Sequence, residues 1–216
     1  MFLINYDSNR VLIWNNVPTS ENTPADVALG AADLNSDGDI DCNASHFNHP
    51  DGMWAVDGKL IVADSFHNRV LIWNTIPNNN TAADLVLGQK DFNHCQPNAS
   101  NMDGNTLGAL VPPTAESLFE PSGVWSDGTR LVIIDTLNNR ALIWNSFPTS
   151  NFTAADAVLG QGDFTHNTNN DDNQDNTEDT TPSAHTLQGP SGLYQLGKQL
   201  IITDSGNYRY LIYNGQ

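Results

Sequence analysis

The sequence predicts an all-β fold built from one repeated unit of four antiparallel strands. Three observations predict it: an apolar phrase recurs four times, turn formers punctuate it at fixed offsets, and no helical periodicity runs through it. The phrase reads Arg10-Val11-Leu12-Ile13-Trp14-Asn15, Arg69-Val70-Leu71-Ile72-Trp73-Asn74, Arg140-Ala141-Leu142-Ile143-Trp144-Asn145 and Arg209-Tyr210-Leu211-Ile212-Tyr213-Asn214.

Each strand of the unit has its own local reason. The first opens on proline, as in Pro50-Asp51-Gly52-Met53-Trp54, Pro121-Ser122-Gly123-Val124-Trp125 and Pro190-Ser191-Gly192-Leu193-Tyr194. The second is a β-branched run closing on an acid, as in Leu60-Ile61-Val62-Ala63-Asp64, and the same acid stands at Asp135 and Asp204. In the first copy Asn5 takes that place. A short turn then leads to Arg10, Arg69, Arg140 or Arg209 and the third strand, so the second and third strands form a hairpin. The acid and the Arg five residues later are expected to tie that hairpin by hydrogen bonds and an ion pair, a structural rather than catalytic role. The fourth strand is a short run stopped by glycine, at Ala25–Gly30, Ala83–Gly88 and Ala155–Gly160.

Val70-Leu71-Ile72-Trp73 has no polar alternation, so both faces of that strand need cover. A β-propeller supplies it: four-stranded blades stack face to face around a channel. Each buried Leu, Ile or Trp then contributes on the order of 1.5–3 kcal/mol, with Trp14, Trp73, Trp144 and Tyr213 at the blade centres. The expected blades are residues 1–30 without an inner strand, 50–88, 121–160, and 190–214 without an outer strand. Long connections fill 31–49, 89–120 and 161–189.

The pattern Ala-Asp-Ser-x-x-Asn-Arg-Val-Leu-Ile-Trp-Asn, with Pro-x-Gly-Val ahead and Val-Leu-Gly-Gln-x-Asp-Phe behind, resembles the bacterial NHL-repeat propellers over essentially the whole chain. The resemblance implies a fold more than an activity, since relatives include lyases, lactonases, RNA-binding modules and plain scaffolds. Such propellers close with about six blades, whereas about three and a half are counted here. Three completions follow: a longer polypeptide, a second copy, or a small four-bladed ring. A head-to-tail contact that fails to close would give a filament.

The 216 residues carry 25 acids against 8 Lys and Arg, a net charge of −17. No basic stripe exists to gather phosphates, which argues against nucleic acid and against an anionic membrane. No apolar run approaches a membrane span.

Cys42 and Cys95 fall in equivalent connections of successive units, where adjacent blades could bring them into bridging range; two free thiols are the alternative. A bridge would fit an extracellular or cell-surface location, as would sequons at Asn43, Asn79, Asn98 and Asn151.

Propeller topology places the three long connections, both cysteines and all six histidines on one face. There Asp33, Asn35, Asp37, Asp39 and Asp41 alternate around Gly38 like the calcium loop of EF-hands, giving a hard cation its oxygens. Ala44 stands where such loops place a bidentate glutamate, and Asp33 also matches Asp91 and Asp163 of the other units. Asp171, Asp172, Asp175, Glu178 and Asp179 make a second acidic connection, ordered by a cation, a sugar or a neighbouring chain if it is ordered at all. His46, His49 and His94 are candidate ligands for a Zn²⁺ or Ca²⁺ centre of the lyase or lactonase kind.

The reading is therefore an extracellular, non-enzymatic scaffold for binding or assembly, with Ca²⁺ on an acidic face, a protein or glycan as partner, and head-to-tail self-association. A recognition module and a metal-dependent lyase or lactonase are the alternatives.

Overall fold

The computed structural model describes residues 1–98 and 111–215. Among these residues fourteen strands form four antiparallel sheets. The first holds β1 (Phe2–Asn5), β2 (Arg10–Ile13) and β3 (Val27–Leu29). The second holds β4 (Pro50–Val56), β5 (Lys59–Asp64), β6 (Arg69–Trp73) and β7 (Leu85–Leu87), and the third repeats that order in β8 (Pro121–Ser126), β9 (Leu131–Asp135), β10 (Arg140–Trp144) and β11 (Ala157–Leu159). The fourth holds β12 (Pro190–Leu196), β13 (Gln199–Asp204) and β14 (Arg209–Asn214). Expected and observed strands coincide within a residue or two, and the outer ones are shorter at three residues each.

Register follows the repeat. Asp64 pairs with Arg69, Asp135 with Arg140, Asp204 with Arg209 and Asn5 with Arg10. In the first three of these pairs the turn is one 3-10 turn, Ser65–His67, Thr136–Asn138 or Ser205–Asn207, closed by a left-handed residue at Asn68, Asn139 or Tyr208. Asparagine tolerates that conformation because its short amide bonds locally, whereas tyrosine at φ 54° is out of type.

The outer connection is fastened twice in each of three units. Trp14, Trp73 and Trp144 donate their indole N–H to the carbonyls of Thr23, Thr81 and Thr153. Asp26, Asp84 and Asp156 accept the backbone N–H of Asn15, Asn74 and Asn145, which explains the Ala-Asp ahead of every outer strand.

Consecutive sheets stack through one recurring interface. Val11 and Ile13 of the first sheet meet Leu60, Val62, Leu71 and Trp73 of the second. Ile61, Val70 and Ile72 of the second meet Leu131, Ile133, Leu142 and Trp144 of the third. Val132, Ile134 and Ala141 of the third meet Leu200, Ile202, Leu211 and Tyr213 of the fourth. Along the inner strands the backbones come so close that a Cβ on Gly52 would strike the Ser122 carbonyl, and one on Gly123 would strike Leu193. Glycine is thus a packing requirement at Gly52 and Gly123, whereas at Gly192 a Cβ would meet only Thr203 Oγ1, at an ordinary 3.6 Å.

Candidate functional site

The long connections are pinned by the repeat itself. Asp64 Oδ2 accepts from Arg69 Nε at 2.7 Å, both side chains fully buried. The same guanidinium donates to the carbonyls of Phe92, Asn43 and His46, so one arginine holds two connections. Arg140 does this for Phe164, Thr114 and Ser117, and Arg209 for Ser183 and Thr186. Each arginine is a fixed cation inside a cage of carbonyls, neutralised by its acid. Arg10 donates to the carbonyls of Leu34 and Ser36, but Asn5 offers no carboxylate, and Arg10 Nε is buried with no partner among the described residues.

Loop 33–41 is held by these bonds. Asp33 Oδ1 accepts from the Asn35 backbone N–H and the Ser36 hydroxyl, which lowers its pKa below the ordinary aspartate value. Asp91 accepts likewise from Asn93 and His94, and Asp163 from Thr165 and His166. Hydrogen bonds to His94 and His166 are the leading cause of the lowered pKa of each. Gly38 has no positive φ; it is a glycine because a Cβ there would meet the Asn9 carbonyl, and its N–H donates to Ser8. The resemblance to a calcium loop therefore has a local origin at two of its positions. Among the described residues no three His, Cys, Asp or Glu side chains gather in a group that could hold a metal.

The histidines are separately employed. His46 Nδ1 faces the Asn43 amide at 2.9 Å and His49 Nδ1 faces Asn48 Oδ1 at 2.7 Å, while His94 serves Asp91. His67 is buried between Asp64 Oδ2 and the Ile40 carbonyl, where Asn138 and Asn207 stand in the next two units. The second acidic connection is ordered by its own backbone. Asp171, 1% exposed, accepts the N–H groups of Asp175 and Asn176, and Asp179 accepts that of Asp172.

Cys42 and Cys95 form a disulfide, Cα to Cα 6.1 Å, joining the first long connection to the second. Of the sequons, Asn79 is exposed and Asn43 and Asn151 are half-buried. Asn98 is a correction: it is fully buried and exchanges side-chain hydrogen bonds with Asn138, which leaves no room for a glycan. The rest of that sequon lies outside the described residues.

One cluster was not anticipated. Tyr6, His49 and Phe66 form an aromatic group, with ring centroids 4.7 Å apart for Tyr6 and His49 and 4.5 Å for the stacked His49 and Phe66. Burial pushes the Tyr6 phenol up, and Asp51, Glu120 and Asp7 add their charge to that effect. Burial alone pushes the carboxyls of Asp51 and Glu120 up. Tyr6 and Phe66 come from the hairpin turns of the first two units, His49 and Glu120 precede strand-opening prolines, and Asp51 lies on β4.

No family model and no curated protein matches the chain. The rings of Tyr6 and Phe66 and the carboxyls of Asp51 and Glu120 offer stacking and hydrogen bonding. Ser122 bonds Thr136 and the Ser191 carbonyl, and Ser191 bonds Ser205, so these hydroxyls are tied to one another and not to a general base.

Proposed function

We propose that the chain folds as blades of an NHL-type β-propeller and works outside the cell as a non-enzymatic scaffold, displaying a rigid, acidic face to a glycan. The observation that carries this reading is the set of three rings, Tyr6, His49 and Phe66, beside Asp51 and Glu120, with Tyr6 38% and Phe66 44% exposed. Rings of this kind stack on the apolar faces of sugars while carboxylates accept from hydroxyls. The blade reading is supported by the recurring four-strand unit and by glycine-lined inner strands that neighbour one another. The disulfide supports an oxidising compartment, and no helix among the described residues is long and apolar enough to cross a membrane.

The test is a glycan array probed with the chain and with the Tyr6→Ala, Phe66→Ala double variant. Saturable binding lost in the variant supports the proposal. Binding that survives the double variant would remove the site, and a protein ligand in place of any glycan would replace the partner class. Turnover of a lactone or a peptidyl-hydroxyglycine with added Zn²⁺ or Ca²⁺ would instead favour the enzymatic alternative. A cation at residues 33–41 would be read separately, as a melting temperature that rises with CaCl₂ and falls back with EDTA.

A further inference from the structure

Two units place a side chain where the backbone favours glycine. His49 and Glu120, each the residue before a strand-opening proline, stand at φ 52° and 47°, and Asn9 and Asn68 accept their backbone N–H groups through Oδ1. The equivalent residue of the next unit is Gly189, at φ 51° and held in the same way by Asn139. Glycine adopts that conformation freely, whereas a side chain there is strained. The turn itself asks only for glycine, yet the first two of these positions carry a ring and a carboxyl, and both belong to the aromatic cluster. Within that cluster the rings of Tyr6 and Phe66 meet at 82° with centroids 6.3 Å apart, so they form two walls of a corner. His49 stacks on Phe66 and donates from Nδ1 to Asn48 Oδ1 at 2.7 Å, which leaves Nε2 of the neutral ring as an acceptor.

The corner is negative and lacks a counter-charge. Asp51, Glu120 and Asp7 act on the Tyr6 phenol, and no Lys or Arg is among the charges acting on Tyr6, Asp51 or Glu120. Burial raises the pKa of Asp51 and Glu120, and among the described residues no hydrogen bond or cation offsets it. Other desolvated acids of the chain are treated differently: Asp64, Asp135 and Asp204 each meet an arginine at 2.7 Å. We propose that the corner seats a protonated amine, so that the glycan is one rich in free amino groups, a polymer of de-N-acetylated hexosamine. The ammonium lies against the faces of Tyr6 and Phe66, whose ring quadrupoles attract a cation, and donates to Asp51 and Glu120. Hydroxyls of the same sugar donate to His49 Nε2. N-acetylation removes the charge, and an acidic glycan meets like charge. This inference rests on the glycan reading given above and names the sugar it takes.

Isothermal titration of the 216-residue chain with hexaglucosamine and with hexa-N-acetylglucosamine tests it. Hexaglucosamine is expected to bind at least about tenfold more tightly, a preference that added salt reduces. The net charge of −17 attracts any polycation loosely, so two variants are compared. Asp51→Asn with Glu120→Gln should bring the two oligomers within about twofold of each other. Glu21→Gln with Glu178→Gln removes as many charges from exposed acids elsewhere and should leave the preference in place. Equal affinities in the wild type, a preference for the acetylated oligomer, or a preference that survives the first variant or vanishes in the second would each overturn the inference while leaving a glycan site standing. Pentalysine bound more tightly than hexaglucosamine would assign the corner to a basic peptide and overturn it as well. A chain that binds neither oligomer nor any sugar of the array would remove the glycan reading itself. Far-UV circular dichroism checks folding, and Asp51→Asn alone replaces the first variant if that fails.

Discussion

Asn98 and Asn138, forty positions apart, hold each other by two side-chain amide bonds of 3.0 and 2.8 Å, both residues fully buried. Asn170 and Asn207 repeat the arrangement one unit later, at 2.9 and 2.8 Å. Asn138 and Asn207 each also donate to the clamp acid, Asp135 or Asp204. The pair therefore couples a long connection to the Arg–Asp clamp. Replacing Asn98 with Ala leaves a buried amide unsatisfied and is expected to cost about 1–3 kcal/mol. The double variant Asn98→Ala, Asn138→Ala should cost less than the sum of the singles, read from urea midpoints.

Asp135→Ala is expected to be among the most damaging substitutions in the chain. It strands a fully buried guanidinium and unfastens the Phe119 N–H, which also donates to that carboxylate. The loss should be about 3–5 kcal/mol, and Arg140→Lys should also destabilise, because an ammonium cannot reach the carbonyls of Phe164, Thr114 and Ser117 together. Chemical denaturation measures both. A folded, fully stable Asp135→Ala would show that the clamp contributes nothing.

The first unit supplies the converse experiment. Arg10 Nε is buried and has no partner among the described residues, where Arg69, Arg140 and Arg209 meet a carboxylate. Asn5→Asp restores the missing acceptor and is expected to stabilise by about 0.5–1.5 kcal/mol. Thermal melting reads the gain, and a lower melting temperature would mean that the added charge outweighs the bond.

Reduction of Cys42–Cys95 frees a loop with a sequence separation of 53. Chain-entropy arguments put the loss at about 4 kcal/mol, with strain and residual structure lowering it. The melting temperature with and without a reductant checks it, and no change would assign the bond no stabilising role.

Strand order and register were legible because the sheet pattern depends on residues adjacent in sequence: Asp64 and Arg69, or Trp73 and the run before it. The clamp was legible as a hairpin fastening, but its reach to Phe92, Asn43 and His46 was not, since those acceptors are backbone carbonyls that carry no residue signature. Asn98 read as a sequon because a triplet rule sees neither burial nor Asn138. Gly38 read as a turn glycine because a sequence cannot show the Asn9 carbonyl packed against it. The Tyr6, His49 and Phe66 cluster was invisible for a further reason. Two units each contribute to it, from turn positions that are not equivalent: Tyr6 matches Ser65, Thr136 and Ser205, and Phe66 matches Asp7, Leu137 and Gly206, so no repeat advertises it.

The pH dependence separates the two kinds of acid on this face. Burial raises the pKa of Glu120, so the folded state holds its proton more firmly than the unfolded chain does. The stability linked to that proton is present below the unfolded pKa and is lost as pH rises through the folded one. Asp163 is the reverse: its pKa is lowered, first by the hydrogen bond to His166, so its contribution is present above the unfolded pKa and is lost as pH falls through the folded one. Glu120→Gln should therefore raise the melting temperature at pH 7, by roughly 1–2 °C if a few tenths of a kcal/mol are recovered. That gain should vanish in acid below the ordinary glutamate range, where the wild-type carboxyl is already neutral. Asp163→Asn should lower the melting temperature at pH 7 and lose its effect at low pH, where the aspartate is protonated as well. Melting curves of both variants across this range give opposite signs at neutrality if these environments are right, and equal signs would refute at least one of them.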